Sequence, residues 1–130
     1  IYGTATLKDI ERELVALGKT LGAKVSSKQS NREGELVDWV QKARGKFDGL
    51  IVNFAAYSHT SIALLDALRF AEVPAVEVHL SNIHAREEFR ATSLTARACV
   101  GIVSGFRAQS YALGLRALME YLSPPSDSGS

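Results

Sequence analysis

The chain has 130 residues, with 15 basic against 14 acidic side chains for a net charge of +1, 46% hydrophobic residues and 22% charged ones. That is the composition of one core-forming domain, and it excludes a disordered tail or a polybasic arm. Both signs of charge are mixed along the chain, which leaves no footprint for nucleic acid; the single cysteine, Cys99, has no internal partner, and no apolar run reaches about 18 residues, so a cytoplasmic setting without membrane contact is expected.

From the start, Leu7, Ile10, Leu14, Leu17 and Leu21 recur at three- and four-residue steps between a Thr6/Asp9 capping pair and Gly22, which predicts an amphipathic helix over Thr6–Leu21. A short strand is expected at Ala23–Lys28. Ser30 and Glu33 read as a second capping pair for a helix striped by Leu36, Val37, Val40 and Ala43 and ending near Gly45. Gly49–Asn53 is a short apolar run without alternation, which predicts a central parallel strand covered on both faces. A third helix is expected over Thr60–Ala71, stopped by Pro74, then a strand over Ala75–His79 and a long polar connection over Ser81–Ala96. A last strand, Cys99–Ser104, leads through Gly105 into a helix over Ala108–Leu122.

Strands alternating with helices predict an α/β fold, a doubly wound parallel sheet with helices on both faces, in a single domain over residues 1–122 with a flexible tail at 123–130. Such domains normally open with a central strand, whereas Ile1 stands just ahead of a helix, so a further strand is expected upstream.

In an open parallel sheet, ligands bind at the carboxyl ends of the strands. Asn53 and His79 each end a predicted strand, and the segments that follow bring His59 and His84, so all three histidines fall on one rim. Glu77 lies two residues before His79, and the two-residue period of a strand puts both side chains on one face, where the carboxylate can orient the imidazole. Arg86 and Arg90, four apart, suit an anionic ligand. Metal-ligand spacing, a G-x-S-x-G elbow, a G-x-G-x-x-G fingerprint and a Walker pattern are all missing, so neither a metal nor a nucleotide cofactor is expected. Cys99, at the start of an apolar strand, reads as an inert core thiol, and Trp39 as a core or subunit contact.

Three segments carry a family resemblance: Gln29-Ser-Asn-Arg-Glu-Gly-Glu-Leu36, Asn53 to Ser61, and the fourteen residues Glu77-Val-His-Leu-Ser-Asn-Ile-His-Ala-Arg-Glu-Glu-Phe-Arg90. In order and spacing the chain resembles type II 3-dehydroquinate dehydratase, the type II dehydroquinase, from Ile1 to about Leu122. The resemblance implies a flavodoxin-like fold, no cofactor, no metal, a small-molecule substrate and a homododecamer built from four trimers. It also implies a lyase that removes water from 3-dehydroquinate by anti elimination through an enolate, giving 3-dehydroshikimate.

By position, the resemblance makes Tyr2 the base that takes the C2 proton as a phenolate, and Arg86 a cation that stabilises it. His79 becomes the acid for the departing hydroxyl, held by Glu77. Asn53, His59 and Arg90 become groups that bind the substrate's hydroxyls and carboxylate, Leu80 and Ser81 donors to that carboxylate, and Asp66 a residue reaching a neighbouring subunit's site. The chain departs from the family in having no Asn-Gly-Pro-Asn-Leu segment and no arginine just ahead of Tyr2. Phe54 stands where a proline or small residue is usual and is expected to crowd the substrate floor. Leu65 replaces an arginine, and Ala91-Thr-Ser-Leu94 replaces His-His-Ser-Tyr, both expected to alter subunit contacts more than chemistry. The departures leave one alternative, a truncated or degenerate relative that binds a cyclic carboxylate without turnover.

Overall fold

A computed structural model of the chain describes residues 6–85, 87 and 91–123. Helix α1 (Leu7–Leu21) opens with the expected reciprocal cap: the Thr6 hydroxyl accepts the Asp9 N–H, and the Asp9 carboxylate accepts the Thr6 N–H. It ends at Gly22, whose N–H returns to the Gly18 and Lys19 carbonyls. Helix α2 (Glu33–Lys42) begins differently from the expected Ser30/Glu33 pair. Its N-cap is Arg32, without a side-chain cap; Ser30 lies too early to reach the first turn's donors. The Ser30 hydroxyl instead accepts the Arg32 N–H at 3.0 Å and donates to Glu35 at 2.5 Å.

Beyond α2 come β1 (Leu50–Val52), the single turn α3 (Tyr57–Thr60), α4 (Ile62–Ala71) and β2 (Ala75–His79). The predicted third helix is thus divided, because Ser61 is extended and spends its hydroxyl capping the Leu64 N–H at 2.9 Å. Two 3-10 turns, Ile83–Ala85 and Thr95–Ala98, occupy the long connection, followed by β3 (Gly101–Ser104) and α5 (Gln109–Leu122). Of the expected tail, Ser123 is described as the residue closing α5; the remainder lies outside the described residues.

The three strands pair in parallel in the order β1-β2-β3. The central strand among the described residues is therefore β2, not the Gly49–Asn53 run. Burial agrees: all five residues of β2 are buried, whereas Leu50 and Ile51 are only half-buried. The expected strand at Ala23–Lys28 forms no ladder with a described strand. Ala23 and Val25 are half-buried while Lys24 and Ser26 are exposed, the two-residue period of an extended segment, and Val25 packs with Ile10, Leu14 and Leu115. A strand assignment needs a second backbone to bond to, and side-chain packing alone does not supply it.

Helices cover both faces of the sheet. On one, Val52 and Ala75 pack with Val40 and Ala43 from the α2 side and with Leu64, Ala67 and Leu68 of α4. On the other, Ile51, Val76, Val78 and Val103 meet Tyr111 and Leu118 of α5, and α1 packs on α5 through Ile10, Leu14 and Leu115. This is the doubly wound, flavodoxin-like arrangement expected from the alternation of strands and helices. Among the described residues, no helix is long and apolar enough to cross a membrane.

Candidate active site

Alternation along β2 sends Val76 and Val78 toward α5 and puts Ala75, Glu77 and His79 on the opposite face. Glu77 is fully buried and His79 is 5% exposed. A carboxylate in such a place is stable only when hydrogen bonds replace its water. Three donors do so. His79 Nε2 lies 2.7 Å from Oε2, the Ser93 hydroxyl donates to the same oxygen at 2.6 Å, and the Thr95 hydroxyl donates to Oε1.

Ser93 has one proton to give, and the short contact to Glu77 takes it; the Ser58 carbonyl and Thr95 Oγ1 lie farther away, at 3.3 Å each. The Ser93 oxygen in turn accepts the Ala96 N–H at 3.2 Å. Burial by itself would raise the Glu77 pKa. The hydrogen bonds from His79, Ser93 and Thr95, with the charge of His79, outweigh it and hold the carboxyl below its ordinary 4.5.

Because Glu77 is an acceptor, the neutral His79 ring carries its proton on Nε2, and Nδ1 becomes a donor when the ring is charged. The His59 ring stacks on His79 with centroids 5.9 Å apart and planes 27° apart. Its Nδ1 donates to the Thr92 carbonyl at 2.8 Å, which leaves Nε2 as the acceptor of the neutral ring. Asn53, one residue beyond β1, has its amide fixed at both ends. Nδ2 donates to the Tyr111 hydroxyl at 2.8 Å, and Oδ1 accepts the Ala55 N–H at 3.0 Å.

The chain leaving His79 is also oriented. The His79 carbonyl accepts the Gly105 N–H at 3.2 Å, and the Leu80 carbonyl accepts the Arg107 N–H at 2.8 Å. In a planar trans peptide the N–H points opposite to the carbonyl, so the N–H groups of Leu80 and Ser81 point away from the turn between β3 and α5. Gly105 permits this turn: its φ is 98°, and a Cβ there would stand 3.2 Å from Asn82 Cβ.

Glu77, His79 and His59 are brought together, with Asn53 at the same carboxyl edge of the sheet. Leu80 is half-buried and Ser81 exposed, both directly after β2. His84 is exposed in the turn that follows, its N–H bonded to Asn82 Oδ1 at 3.0 Å, so the rim is built from two of the three histidines in direct ring contact. Asp66 lies on the exposed side of α4. Tyr2, Arg86 and Arg90 lie outside the described residues. Among the described residues, no group of three His, Cys, Asp or Glu side chains is placed to hold a metal ion.

One reading of the family departures changes. Phe54 is buried in the apolar cluster with Val40 and Leu64, so its ring belongs to the core rather than to a substrate floor. The 91–94 segment meets the site through the Ser93 hydroxyl on Glu77 and the Thr92 backbone carbonyl on His59; the serine is common to both patterns and a carbonyl belongs to any residue, so neither contact depends on the departures at 91, 92 and 94. Cys99 is half-buried and its thiol is pushed up to about 12, first by burial and then by the charge of Glu77, in keeping with an inert thiol. Trp39 is half-buried, with the Lys28 ammonium 5.3 Å from its ring centre.

Ser93, Thr95 and Tyr111 were not singled out by the sequence reading. For the first two a signal existed: an acid within the apolar strand Ala75–His79 demands hydroxyl or amide donors, and Ser93 and Thr95 stand two apart in the polar connection. Tyr111 gave none, because it reads as one more member of a helical apolar stripe.

Comparison with known proteins covers most of the chain. The family model for dehydroquinase class II matches residues 1–119. The chain is 52% identical over 118 residues to a 3-dehydroquinate dehydratase of Rhizobium johnstonii, covering 91% of this chain and 81% of that protein. A 3-dehydroquinate dehydratase of Sinorhizobium medicae is 56% identical over 118 residues, covering 91% and 80%. Among solved structures, the type II dehydroquinase from Propionibacterium acnes superimposes with a TM-score of 0.85 at 36% identity, over 90% of this chain and 86% of that one.

Proposed function

The chain belongs to the dehydroquinase class II family, and from that membership we propose that it removes water from 3-dehydroquinate with His79 as the acid for the departing hydroxyl. The buried Glu77–His79 pair at 2.7 Å, at the carboxyl end of β2, carries this reading. The reaction is an elimination. A base takes the C2 proton, an enolate forms, the C1–O bond breaks as the oxygen takes a proton from His79, and the C1–C2 bond becomes the double bond of an enone.

On the acid side, the hydrogen bonding of His79 supports one choice of atoms. Nε2 of His79 is committed to Glu77, so the proton delivered to the hydroxyl leaves from Nδ1 of the charged ring. The carboxylate holds the ring at one angle while the proton moves. For the base, Tyr2 as a phenolate takes the C2 proton, with Arg86 lowering the cost of its charge. A free phenol titrates near about 10, so this step needs such a cation.

Binding uses two groups of that rim, His59 Nε2 and the Asn53 amide, for the hydroxyls of the substrate. Its carboxylate is met by Arg90 and by the N–H groups of Leu80 and Ser81. Residues 1–122 form the domain that carries the reaction, in a cytoplasmic homododecamer built from four trimers. Within the trimer, Asp66 on the open side of α4 reaches the neighbouring site. No cofactor takes part. A binding-only relative is the weaker reading, since the acid and the glutamate that holds it are both in place.

The test is the growth of enone absorbance when 3-dehydroquinate is added, for the protein and for His79→Ala. The variant is expected to lose turnover while still binding the substrate, because it removes a group needed mainly in the transition state. Equal turnover in the variant rejects His79 as the acid.

A further inference from the structure

We propose that Ser93 and Thr95 are positioning residues for the dehydration, orienting the Glu77 carboxylate and through it the ring of His79. The inference rests on the reading of His79 as the acid and adds two residues to it. Each oxygen of Glu77 is held by a separate hydroxyl, Oε2 by Ser93 and Oε1 by Thr95, and His79 Nε2 shares Oε2. Ser93 and Thr95 are themselves buried, and Ser93 is fixed by the Ala96 N–H on its oxygen. The carboxylate therefore cannot turn about its last torsion without breaking three hydrogen bonds, two of them from these hydroxyls, in a site sealed from water. The ring it holds stays at one angle, with Nδ1 facing away from Glu77.

The two hydroxyls also decide which way the hydrogen bond to His79 runs. Both donate, so they favour an anion between them. Without them the buried carboxyl takes up a proton more easily, becomes a donor itself, and reverses the bond so that the neutral ring carries its proton on Nδ1. The titratable groups facing this carboxylate are His79 on its own strand, His59 of α3 stacked on that ring, and Cys99 just beyond the Thr95–Ala98 turn. Neither histidine alone supplies both oxygens with a donor; Ser93 and Thr95 do.

Ser93→Ala and Thr95→Val each remove a hydroxyl at little change in volume, and Thr95→Ser restores one. The full chain is assayed for kcat and KM with 3-dehydroquinate, and the Glu77 carboxyl is titrated by carbon NMR. Ser93→Ala and Thr95→Val are expected to lower kcat about tenfold or more with KM within about twofold, and to move the Glu77 midpoint upward; Thr95→Ser is expected to recover both. Wild-type kcat and midpoint in both hydroxyl-free variants overturn the proposal. So does a fall in kcat with an unmoved midpoint, which marks a merely structural role. If circular dichroism shows Thr95→Val unfolded, Ser93→Ala decides on the same two readouts. His79→Ala separates the two levels: if it keeps turnover, the acid assignment itself fails, and if it is inactive while the hydroxyl variants are normal, only the positioning role fails.

Discussion

The His59 ring stacks on that of His79, centroids 5.9 Å apart, while its own Nδ1 is tied to the Thr92 carbonyl at 2.8 Å. The two rings are thus held by different partners, His79 Nε2 by the Glu77 carboxylate at 2.7 Å and His59 Nδ1 by a backbone carbonyl, which leaves His59 Nε2 as the atom proposed to meet a substrate hydroxyl.

His59→Ala is accordingly expected to act on binding. Losing one neutral hydrogen bond of about 1 kcal/mol raises KM roughly three- to tenfold, with a smaller change in kcat. Steady-state kinetics across a range of 3-dehydroquinate concentrations measure this. A variant with normal KM and a collapsed kcat would move His59 from binding to proton transfer.

Acid stability tests Glu77. Its folded-state pKa lies below the ordinary 4.5, so its contribution to stability is complete above that value and is lost as pH falls through the lower folded value. Glu77→Gln has no such titration. The variant is expected to be less stable than wild type near neutral pH, and the gap should narrow as pH falls below the ordinary 4.5. Asp9 is also lowered, chiefly by its backbone hydrogen bond to Thr6, but it is present in both proteins and cancels in the difference. Thermal melts of both across that fall in pH give the answer, and a constant gap would detach Glu77 from the acid response.

How far the residues announce this arrangement depends on the range of the interaction. Thr6, Asp9 and Gly22 act within one turn of helix, so their spacing alone marks α1. Glu77 and His79 share a face through the strand period, and that too is local. The hydroxyls on Glu77 come from Ser93 and Thr95, sixteen and eighteen residues away, through a connection with no regular period. Which strand is central is likewise a pairing between distant segments: Gly49–Asn53 and Ala75–His79 are both apolar runs, and only the ladder to Gly101–Ser104 places the second in the middle. Ala23–Lys28 shows the converse, an extended segment with the right alternation and no described strand paired to it.

Cys99 is expected to be unreactive in the folded protein. With its thiol pushed up to about 12, only about one molecule in ten thousand carries the thiolate at pH 8. A thiol-specific disulfide reagent should label it in denaturant and not without, on the same timescale. Rapid labelling of the folded chain would mean that Cys99 lies in a more open setting than its hydrogen bond to the Thr95 carbonyl indicates.

Gly114 lies inside α5, where alanine is normally favoured over glycine by about 1 kcal/mol. Here the helix presses on the sheet so closely that a Cβ would stand 2.8 Å from Val78 Cγ2, with Ile51 and Val76 methyl groups at 3.7 Å. Val78 is fully buried between Glu77 and His79 on β2 and has no flexible end that could withdraw. Overpacking of this kind costs about 1–3 kcal/mol, which outweighs the gain in helix propensity. Gly114→Ala alone is therefore expected to destabilise the protein. In a Val78→Ala background the obstructing methyl is gone, and the same substitution should become stabilising by up to about 1 kcal/mol. Urea unfolding of the four proteins in this cycle measures the reversal of sign, and additive effects would show that α5 can slide on the sheet to admit the methyl.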